Sequence, residues 1–447
     1  MENISIIGLG KLGLPMAACL AYKGYQIIGV DLDGDIVKAV NDGISPNYEP
    51  GIHELLKKSQ ERLFATTDYR YAVEHSEVTF IFVPTPTNEE GDFSSELVQA
   101  AIRSVAAVLN SKDAFHLIVI RSTVIPGTTK NVVTPLIESI SGRRCGVDFG
   151  LCYNPEFLAV GSAIKNLLNP DVIVIGESDS KSGELLSIIY QKVCNNNPPI
   201  VRTNIYNAEL AKISLNTFIT MKISFANIIA ELCEQIPGGD VDKVSEILGF
   251  DSRIGRKYLT GGLAYSGPCF PRDNKAFAFT ANKVGCKTRI PEVIDQENIG
   301  QIARVICLVK RELKEIKDKE IAILGLTYKP DTDIIDPSTS TEIAKALLQE
   351  GARVSVYDPA GMRNARQILG ENKVRYADSV QSCLINTEFC ILATPWEEFK
   401  TLKPEDFMNY MSKPILLDCW RILDRSEYTN KIKYAAIGVG PTQGSED

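Results

Sequence analysis

Between Ile7 and Pro15 the chain reads Gly8-Leu9-Gly10-Lys11-Leu12-Gly13, and this run limits the fold more than any other feature. A short apolar strand, Ile4 to Ile7, leads into it. Helix-forming residues from Pro15 to Lys23 follow, and a second apolar run from Tyr25 to Val30 ends at Asp31. Strand, glycine turn, helix and strand in this order make a βαβ unit with a right-handed crossover. Gly8 permits the tight turn, Gly10 lets the backbone approach a pyrophosphate, and Gly13 allows close helix–strand packing. Lys11 and Leu12 lie in the same turn, where the helix N-terminus presents N–H donors and the positive end of its dipole. A lone GxGxxG is equally an ordinary glycine turn; the strand before it and the acid after it separate the two readings. Asp31 can accept from both ribose hydroxyls and repels a 2′-phosphate, so the cradle fits NAD rather than NADP.

The same alternation continues with strands at 78–83, 117–120 and 172–175, which predicts a parallel sheet. Two loops follow strands of this set, Val83-Pro84-Thr85-Pro86-Thr87 and Arg121-Ser122-Thr123 through Thr128. Ligands of open α/β sheets bind outside the carboxyl ends of the strands, so Val83, Pro84, Thr85, Ser122 and Thr123 are candidates to hold a nicotinamide ribose. Each loop is also readable as a proline-stiffened turn. From 207 to 234 the chain is unbroken helix former, stopped by Pro237-Gly238-Gly239, and a second long helix is expected over 291–317. Long, partly apolar helices between two domains commonly form a dimer interface. The β-α-β pattern then restarts at 319–324 with Gly325, a helix over 338–350 and a strand ending at Asp358-Pro359, and strands at 389–393 and 415–417 follow. The expected fold is α/β: two Rossmann-like doubly wound domains, 1–203 and 318–447, joined by a helical connector, 204–317, with a long central helix. The Gly/Ser/acid-rich end, 440–447, is expected to be disordered.

Composition removes other classes. Of 447 residues, 44% are hydrophobic and 23% charged, which excludes a disordered or fibrous chain. The net charge is −8 with no basic block, which argues against nucleic acid and anionic membranes as partners. Eleven scattered cysteines without a C-x-x-C pair fit reduced cytoplasmic thiols better than a disulfide framework. The three histidines, His53, His75 and His116, are far apart, so neither a metal site nor a histidine triad is expected. No signal-peptide pattern opens the chain, and no apolar run of the roughly eighteen residues a membrane span needs is expected.

One cysteine stands out. Cys269 lies in GGLAYSGPCFPRD, a stretch of small residues with a carboxylate four places on. A single cysteine is usually a buried small hydrophobe; the glycine-rich approach argues instead for a thiol that a substrate can reach. A nicotinamide enzyme with a nucleophilic thiol can oxidise an alcohol to an aldehyde, capture it as a thiohemiacetal, oxidise that to a thioester and hydrolyse it to an acid.

At this point the chain resembles the UDP-glucose/GDP-mannose dehydrogenase family over about residues 3 to 425. The matching segments are IGLGKLGLP, NYEPGIHELL (47–56), VPTPT (83–87), STVIPGTT (122–129), NPEFL (154–158) and NPDVIVIG (169–176). AELAKISLNTF (208–218), GFDSRIG (249–255), CFPRDNKA (269–276) and GLTYKPDTD (325–333) complete the set. The resemblance implies Cys269 as nucleophile, Lys212 and Asn216 as oxyanion partners, and Glu156 as general base or water-orienting group. It implies that Asp273 positions water or tunes the thiol and that Thr123 orders a water. The nucleotide sugar would meet Glu156, Phe157, Leu158, Lys212, Asn216, Tyr258, Leu259, Tyr265, Gly267, Tyr328 and Lys329, with Arg253 reaching in from a dimer partner. The stretch 260–266 would wrap the pyrophosphate with backbone N–H groups. The family uses no metal, and the implied assembly is a homodimer or higher homo-oligomer with the helical connector at its core.

The implied reaction is a four-electron, two-NAD oxidation of C6 of a nucleotide sugar to the uronate, with UDP-glucose as the leading substrate. Several positions depart from the family pattern. Val160 stands where a glutamate is usual, Val172, Asp336 and Trp420 where arginines are usual, with Arg421 one place late. Ile228 replaces a glutamate, and Pro268 breaks the usual Gly-Gly-Ser before the cysteine. These changes leave open another substrate, such as a UDP-N-acetylhexosamine or GDP-mannose, and a non-catalytic sugar-nucleotide-binding protein.

Overall fold

The apolar runs of the N-terminal region become strands of one sheet. The computed structural model describes residues 2–88 and 90–441. It places β1 (Asn3–Ile7), β2 (Gln26–Val30), β3 (Leu63–Thr66), β4 (Val78–Ile81), β5 (His116–Ile120), β6 (Phe149–Tyr153), β7 (Ile173–Glu177) and β8 (Ile200–Asn204) in the order β3-β2-β1-β4-β5-β6-β7-β8. The order around β1 and β4 is that of a dinucleotide-binding sheet, with its switch point between those strands. β4, β5 and β6 are buried along their whole length, as strands covered by helices on both faces must be. The expected all-parallel sheet needs one correction: β7 runs antiparallel to β6, pairing Cys152 with Glu177 and Tyr153 with Gly176, while β7 and β8 are parallel to each other.

Three polar residues in the buried strands satisfy one another. Ser5 Oγ and Thr79 Oγ1 are 2.7 Å apart, and Thr79 Oγ1 bonds His116 Nε2 at 2.7 Å. The strands absent from the sequence reading are short, and β8 is an edge strand carrying Arg202 and exposed along much of its length, as edges resistant to further pairing are.

The chain divides into two units of contact: residues up to Leu215 with Phe279–Cys286, and Asn216–Ala278 with the residues from Lys287 onward. In the second unit β9 (Glu320–Leu324), β10 (Arg353–Tyr357), β11 (Arg375–Tyr376), β12 (Phe389–Leu392), β13 (Ile415–Asp418) and β14 (Lys433–Ala436) form a parallel sheet in the order β11-β10-β9-β12-β13-β14. Ile321, Ile323, Ile391 and Leu417 bury one face against the helices Ile290–Leu313 and Thr339–Gln349, while Leu324, Leu392 and Leu416 pack with Phe399 and Phe407.

The central helix, Ile205–Gln235, has 31 residues, about 46 Å at 1.5 Å per residue. It ends at the predicted stop: Gly238 takes φ +75°, and Gly239 N donates to the Ile236 carbonyl at 2.8 Å. Contrary to the expectation of no such run, this helix has the length and mean hydropathy, 1.3, of a membrane span. Its polar residues explain the difference. Glu209, Lys212, Asn216, Thr220 and Asn227 are buried on it with partners, which is how a core helix is built and not a lipid-facing one.

Of the C-terminal stretch expected to be disordered, Gly440 and Pro441 are fixed by bonds to Gly239 and Gly238 at 2.9 and 2.8 Å. Residues 442–447 lie outside the described residues.

Candidate active site

The three glycines of the turn after β1 stand in different surroundings. Gly8 sits at φ +93°, and a Cβ there would overlap the Phe82 carbonyl. A Cβ at Gly13 would overlap the Gly8 carbonyl, whereas one at Gly10 would meet open space. Room for a close-lying phosphate group therefore exists at Gly10, beside the N-terminus of the helix Gly13–Tyr22. Asp31 accepts from Leu9 N at 2.8 Å and from Asp33 N at 3.1 Å. Each carboxylate oxygen keeps a second lone pair, and the side chain is partly exposed, so Asp31 can both brace the glycine turn and accept from a ribose. These residues fit NAD.

The loops after β4 and β5 are tied together. Ser122 Oγ donates to Val83 O at 2.7 Å and accepts from Val83 N at 3.0 Å, which makes this hydroxyl a brace between the loops. Thr85 and Thr123 are buried, and Pro84 is exposed. Glu209, unremarked in the sequence, anchors the loop after β5. Its carboxylate accepts from Gly127 N at 2.6 Å and Thr129 N at 2.9 Å. Burial pushes the Glu209 carboxyl up, partly offset by these bonds.

In the NPEFL loop Glu156 is buried and held at both oxygens. Lys212 Nζ donates to Oε1 at 3.0 Å and Leu158 N to Oε2 at 2.8 Å, while Lys212 also donates to the Glu156 carbonyl at 2.6 Å. The ammonium lies 5.6 Å from the centre of the Phe157 ring. Glu49, another acid the sequence did not mark, accepts from Gly161 N and Ala163 N at 2.7 Å each and holds the following segment, Val160 included. Val172 is half-buried just ahead of β7.

Within the second unit, Cys269 caps the helix Phe270–Lys283. Its carbonyl accepts from Asp273 N at 2.8 Å, and the residue is only partly buried. Negative charge on the sulfur is favoured at such a position. Asp273 is fully buried: Oδ2 accepts from Asn216 Nδ2 at 2.6 Å and Oδ1 from Arg272 Nε at 3.0 Å. Asn216 lies one turn beyond Lys212 on the central helix, so the two side chains share a face.

The glycine-rich approach to the cysteine is clamped from several elements. The Asn227 amide accepts from Gly262 N at 2.8 Å and donates to Leu263 O at 3.3 Å. Asn298 accepts from Tyr265 N at 2.7 Å and donates to Tyr265 O at 2.8 Å. The N–H groups of Gly262 and Tyr265 are thus engaged inside the protein, and the expected wrapping of a pyrophosphate by this stretch does not draw on them. Arg421, in left-handed backbone at φ +56°, bonds Asp242 and the carbonyls of Thr260, Gly261 and Ile437. The Trp420 indole packs on Gly262 and donates to Ala393 O at 2.8 Å. The displaced arginine and the tryptophan therefore both shape the approach to Cys269. Leu259 is buried at its start.

Gly267, at φ +84°, lies against the Tyr328 ring, with Lys329 Nζ 5.7 Å from the centre of that ring. Arg253 is exposed and forked onto Asp251, Tyr258 is exposed, and Asp336 is exposed ahead of Pro337. Ile228 is exposed on the central helix, and Pro268 is exposed beside Cys269.

Residues 2–194 match the NAD binding domain of the UDP-glucose/GDP-mannose dehydrogenase family, 206–299 its central domain and 322–425 its UDP binding domain. The UDP-glucose 6-dehydrogenase of Haloferax volcanii is 39% identical over 428 residues, covering 95% of this chain and 98% of its own. The GDP-mannose 6-dehydrogenase of Pseudomonas putida is 34% identical over 434 residues, 92% of this chain and 97% of its own. The structure of a UDP-glucose dehydrogenase from Pyrobaculum islandicum superposes with a TM-score of 0.89 at 34% identity, covering 98% of each chain. With these three domains matched in order along the chain, the protein belongs to the UDP-glucose/GDP-mannose dehydrogenase family and is an NAD-dependent nucleotide-sugar 6-dehydrogenase.

Proposed function

We propose that the protein oxidises UDP-glucose at C6 to UDP-glucuronate, consuming two NAD and one water. The observation that carries this reading is Cys269 at the N-terminus of a helix, with the Asn216–Asp273 pair in that helix's first turn. Identity of 39% to a UDP-glucose 6-dehydrogenase supports the choice of sugar nucleotide.

NAD, held by Gly8, Gly10, Gly13 and Asp31, supplies the hydride acceptor for both oxidations. The chain does the rest. The C6 hydroxyl loses its proton to the water that Thr123 orders as the aldehyde forms, and the Cys269 thiolate adds to that aldehyde. Lys212 and Asn216 hold the resulting oxyanion by charge and hydrogen bond. Loss of the second hydride leaves a thioester on Cys269. Glu156 and Thr123 orient water for attack on the acyl carbon, and the thiolate departs, its charge favoured by the helix N-terminus. Asp273 fixes the Asn216 amide. Tyr328 and Lys329 hold the nucleotide and its phosphates.

The functional assembly is a homodimer built on the central helix. Phe218, Phe225, Ile228 and Leu232 recur at helical spacing and are exposed, as are Ile236 just past the helix end and Ile247 and Phe250 of the helix Val241–Phe250. In that dimer Arg253 of one subunit reaches the sugar nucleotide of the other.

The test is NADH formed per UDP-glucose consumed, for wild type and Cys269→Ser. Two NADH, with the variant unable to complete the second oxidation, is the expected result. One NADH with an unaffected variant overturns the mechanism. No NADH with UDP-glucose but turnover of GDP-mannose or a UDP-N-acetylhexosamine overturns only the substrate, and ligand binding without NADH from any of them overturns the enzymatic reading.

A further inference from the structure

Behind the cysteine, inside the second unit, buried side chains connect the helix Ile290–Leu313 to the helix that begins at Phe270. Tyr265 is only 6% exposed, and its hydroxyl donates to Asp295 Oδ1. Asn274, fully buried, donates from Nδ2 to the Tyr265 hydroxyl and to Asp295 Oδ1 at 3.0 Å each. Its Oδ1 accepts from Thr220 Oγ1 at 2.9 Å. Asn298, three residues beyond Asp295, brackets the Tyr265 backbone. The helix that begins at Phe270 is also joined to the central helix by matching pairs. Consecutive residues Asp273 and Asn274 bond Asn216 and Thr220, which stand one turn apart on the central helix.

The chemistry of position 295 sets this arrangement. The Asn274 amide has one orientation that works, N–H groups toward Asp295 and oxygen toward Thr220, because flipping it would set its oxygen against a carboxylate. The phenol is kept a donor: burial and the Asp295 carboxylate both push the Tyr265 hydroxyl upward. Without an acceptor at 295, a buried O–H and a buried N–H would compete for new partners, four residues before Cys269 and one after Asp273.

We propose that Asp295 is a positioning residue for the reaction: acting through Tyr265 and Asn274, it fixes the Cys269 turn and the Asp273–Asn216 pair. The proposal rests on Cys269 being the nucleophile. It also gives Tyr265 an internal task, bracing the turn, in place of a contact between its hydroxyl and the sugar nucleotide.

The test compares Asp295→Ala, Asp295→Asn and Tyr265→Phe with the wild type. Alkylation of Cys269 by iodoacetamide is followed across pH by peptide mass spectrometry, together with kcat, the KM for NAD and thermal melting. A displaced reacting group costs up to about a hundredfold, so kcat in Asp295→Ala and Tyr265→Phe is expected to fall about 10- to 100-fold with the KM for NAD unchanged. The pH profile of Cys269 alkylation shifts in both. Asp295→Asn, which keeps an acceptor oxygen, recovers most of the loss. The double variant Asp295→Ala/Tyr265→Phe is no worse than its weaker parent, as members of one coupled unit behave. A folded Asp295→Ala with wild-type kcat and alkylation overturns the proposal, as does an additive double variant. Should Asp295→Ala fail to fold, Tyr265→Phe, which loses only a hydroxyl, carries the same readouts. Because alkylation needs no sugar nucleotide, its result stands apart from the choice of substrate: a wild type that forms no NADH would count against the proposed function, not against this inference.

Discussion

Lys212 reaches Glu156 twice, at its carbonyl oxygen (2.6 Å) and at its carboxylate (3.0 Å), with both side chains almost wholly buried. The pair thus joins the first turns of the central helix to the NPEFL loop. Removing one partner of a buried ion pair strands the other and costs about 3–5 kcal/mol. Lys212→Met is therefore expected to lower the melting temperature clearly, and Lys212→Met/Glu156→Gln to recover part of the loss, because the glutamine is neutral. If Lys212 serves as the oxyanion partner proposed above, both variants should also lose about 10²–10³ in kcat. Lys212→Met melting with the wild type would show that the pair does not hold the loop.

Asp31 and Asp358 stand at the ends of β2 and β10 and do the same structural work. Asp31 accepts from Leu9 N at 2.8 Å, and Asp358 accepts from Leu326 N at 2.7 Å, in each case the residue after the first glycine of the turn. Only one can serve a ribose. Asp358 is buried and also accepts from Thr327 N, Thr327 Oγ1, Ala360 N and Gly361 N, whereas Asp31 is partly exposed with two N–H partners. Bonds to a charged group are worth about 1.5–3 kcal/mol, so Asp31→Asn should raise the KM for NAD about tenfold or more and weaken discrimination against NADP. Asp358→Asn should lower the melting temperature and leave the KM for NAD in place. Titrating each variant with NAD and NADP checks both statements.

The features legible in the sequence are those whose parts lie close along it. Gly8, Gly10, Gly13 and Asp31 belong to one βαβ unit, and Lys212 and Asn216 to one helix face. The missed acids act at long range: Glu49 holds Gly161 N from 112 residues away, and Glu209 holds Gly127 N from 82. A carboxylate that ends a loop's unsatisfied N–H groups has no local pattern. The same holds for Asp295, whose neighbours Gln296 and Glu297 are equally polar. The reversal at β7 was hidden for another reason: β6 is a five-residue run, Phe149–Tyr153, and strand direction depends on connections that composition does not encode.

His116 makes a pH dependence that carboxylates do not. It is completely buried, with Nε2 on Thr79 and Nδ1 3.1 Å from Lys112 Nζ. Burial first, then the Lys112 charge, pushes its pKa from 6.5 down to about 3. Between those values the unfolded chain binds a proton that the native protein refuses, so stability falls as pH falls through this window and is unaffected by His116 above it. The slope is about 1.4 kcal/mol per pH unit. Melting temperature measured from pH 7.5 to 5 should drop below about pH 6.5, and His116→Gln should flatten that drop. An unchanged slope in the variant would place the titration elsewhere.

The exposed stripe on the central helix makes a prediction about both assembly and catalysis. Phe225→Asp and Leu232→Asp put a charge where two apolar stripes would meet, and the desolvation cost should leave a monomer by light scattering while the wild type has twice the chain mass. The monomer should bind NAD normally and sugar nucleotide poorly, because Arg253 then has no neighbour to serve. A mixing experiment isolates that last step. Arg253→Ala chains keep Cys269 but lack the reaching arginine, and Cys269→Ser chains keep the arginine but lack the thiol. Exchanging subunits between the two proteins should restore the full yield of two NADH per UDP-glucose, which neither parent reaches, since each mixed dimer contains one site with an intact cysteine and a neighbour's Arg253. Mixed dimers that complete the second oxidation no better than their parents would mean that Arg253 serves its own subunit.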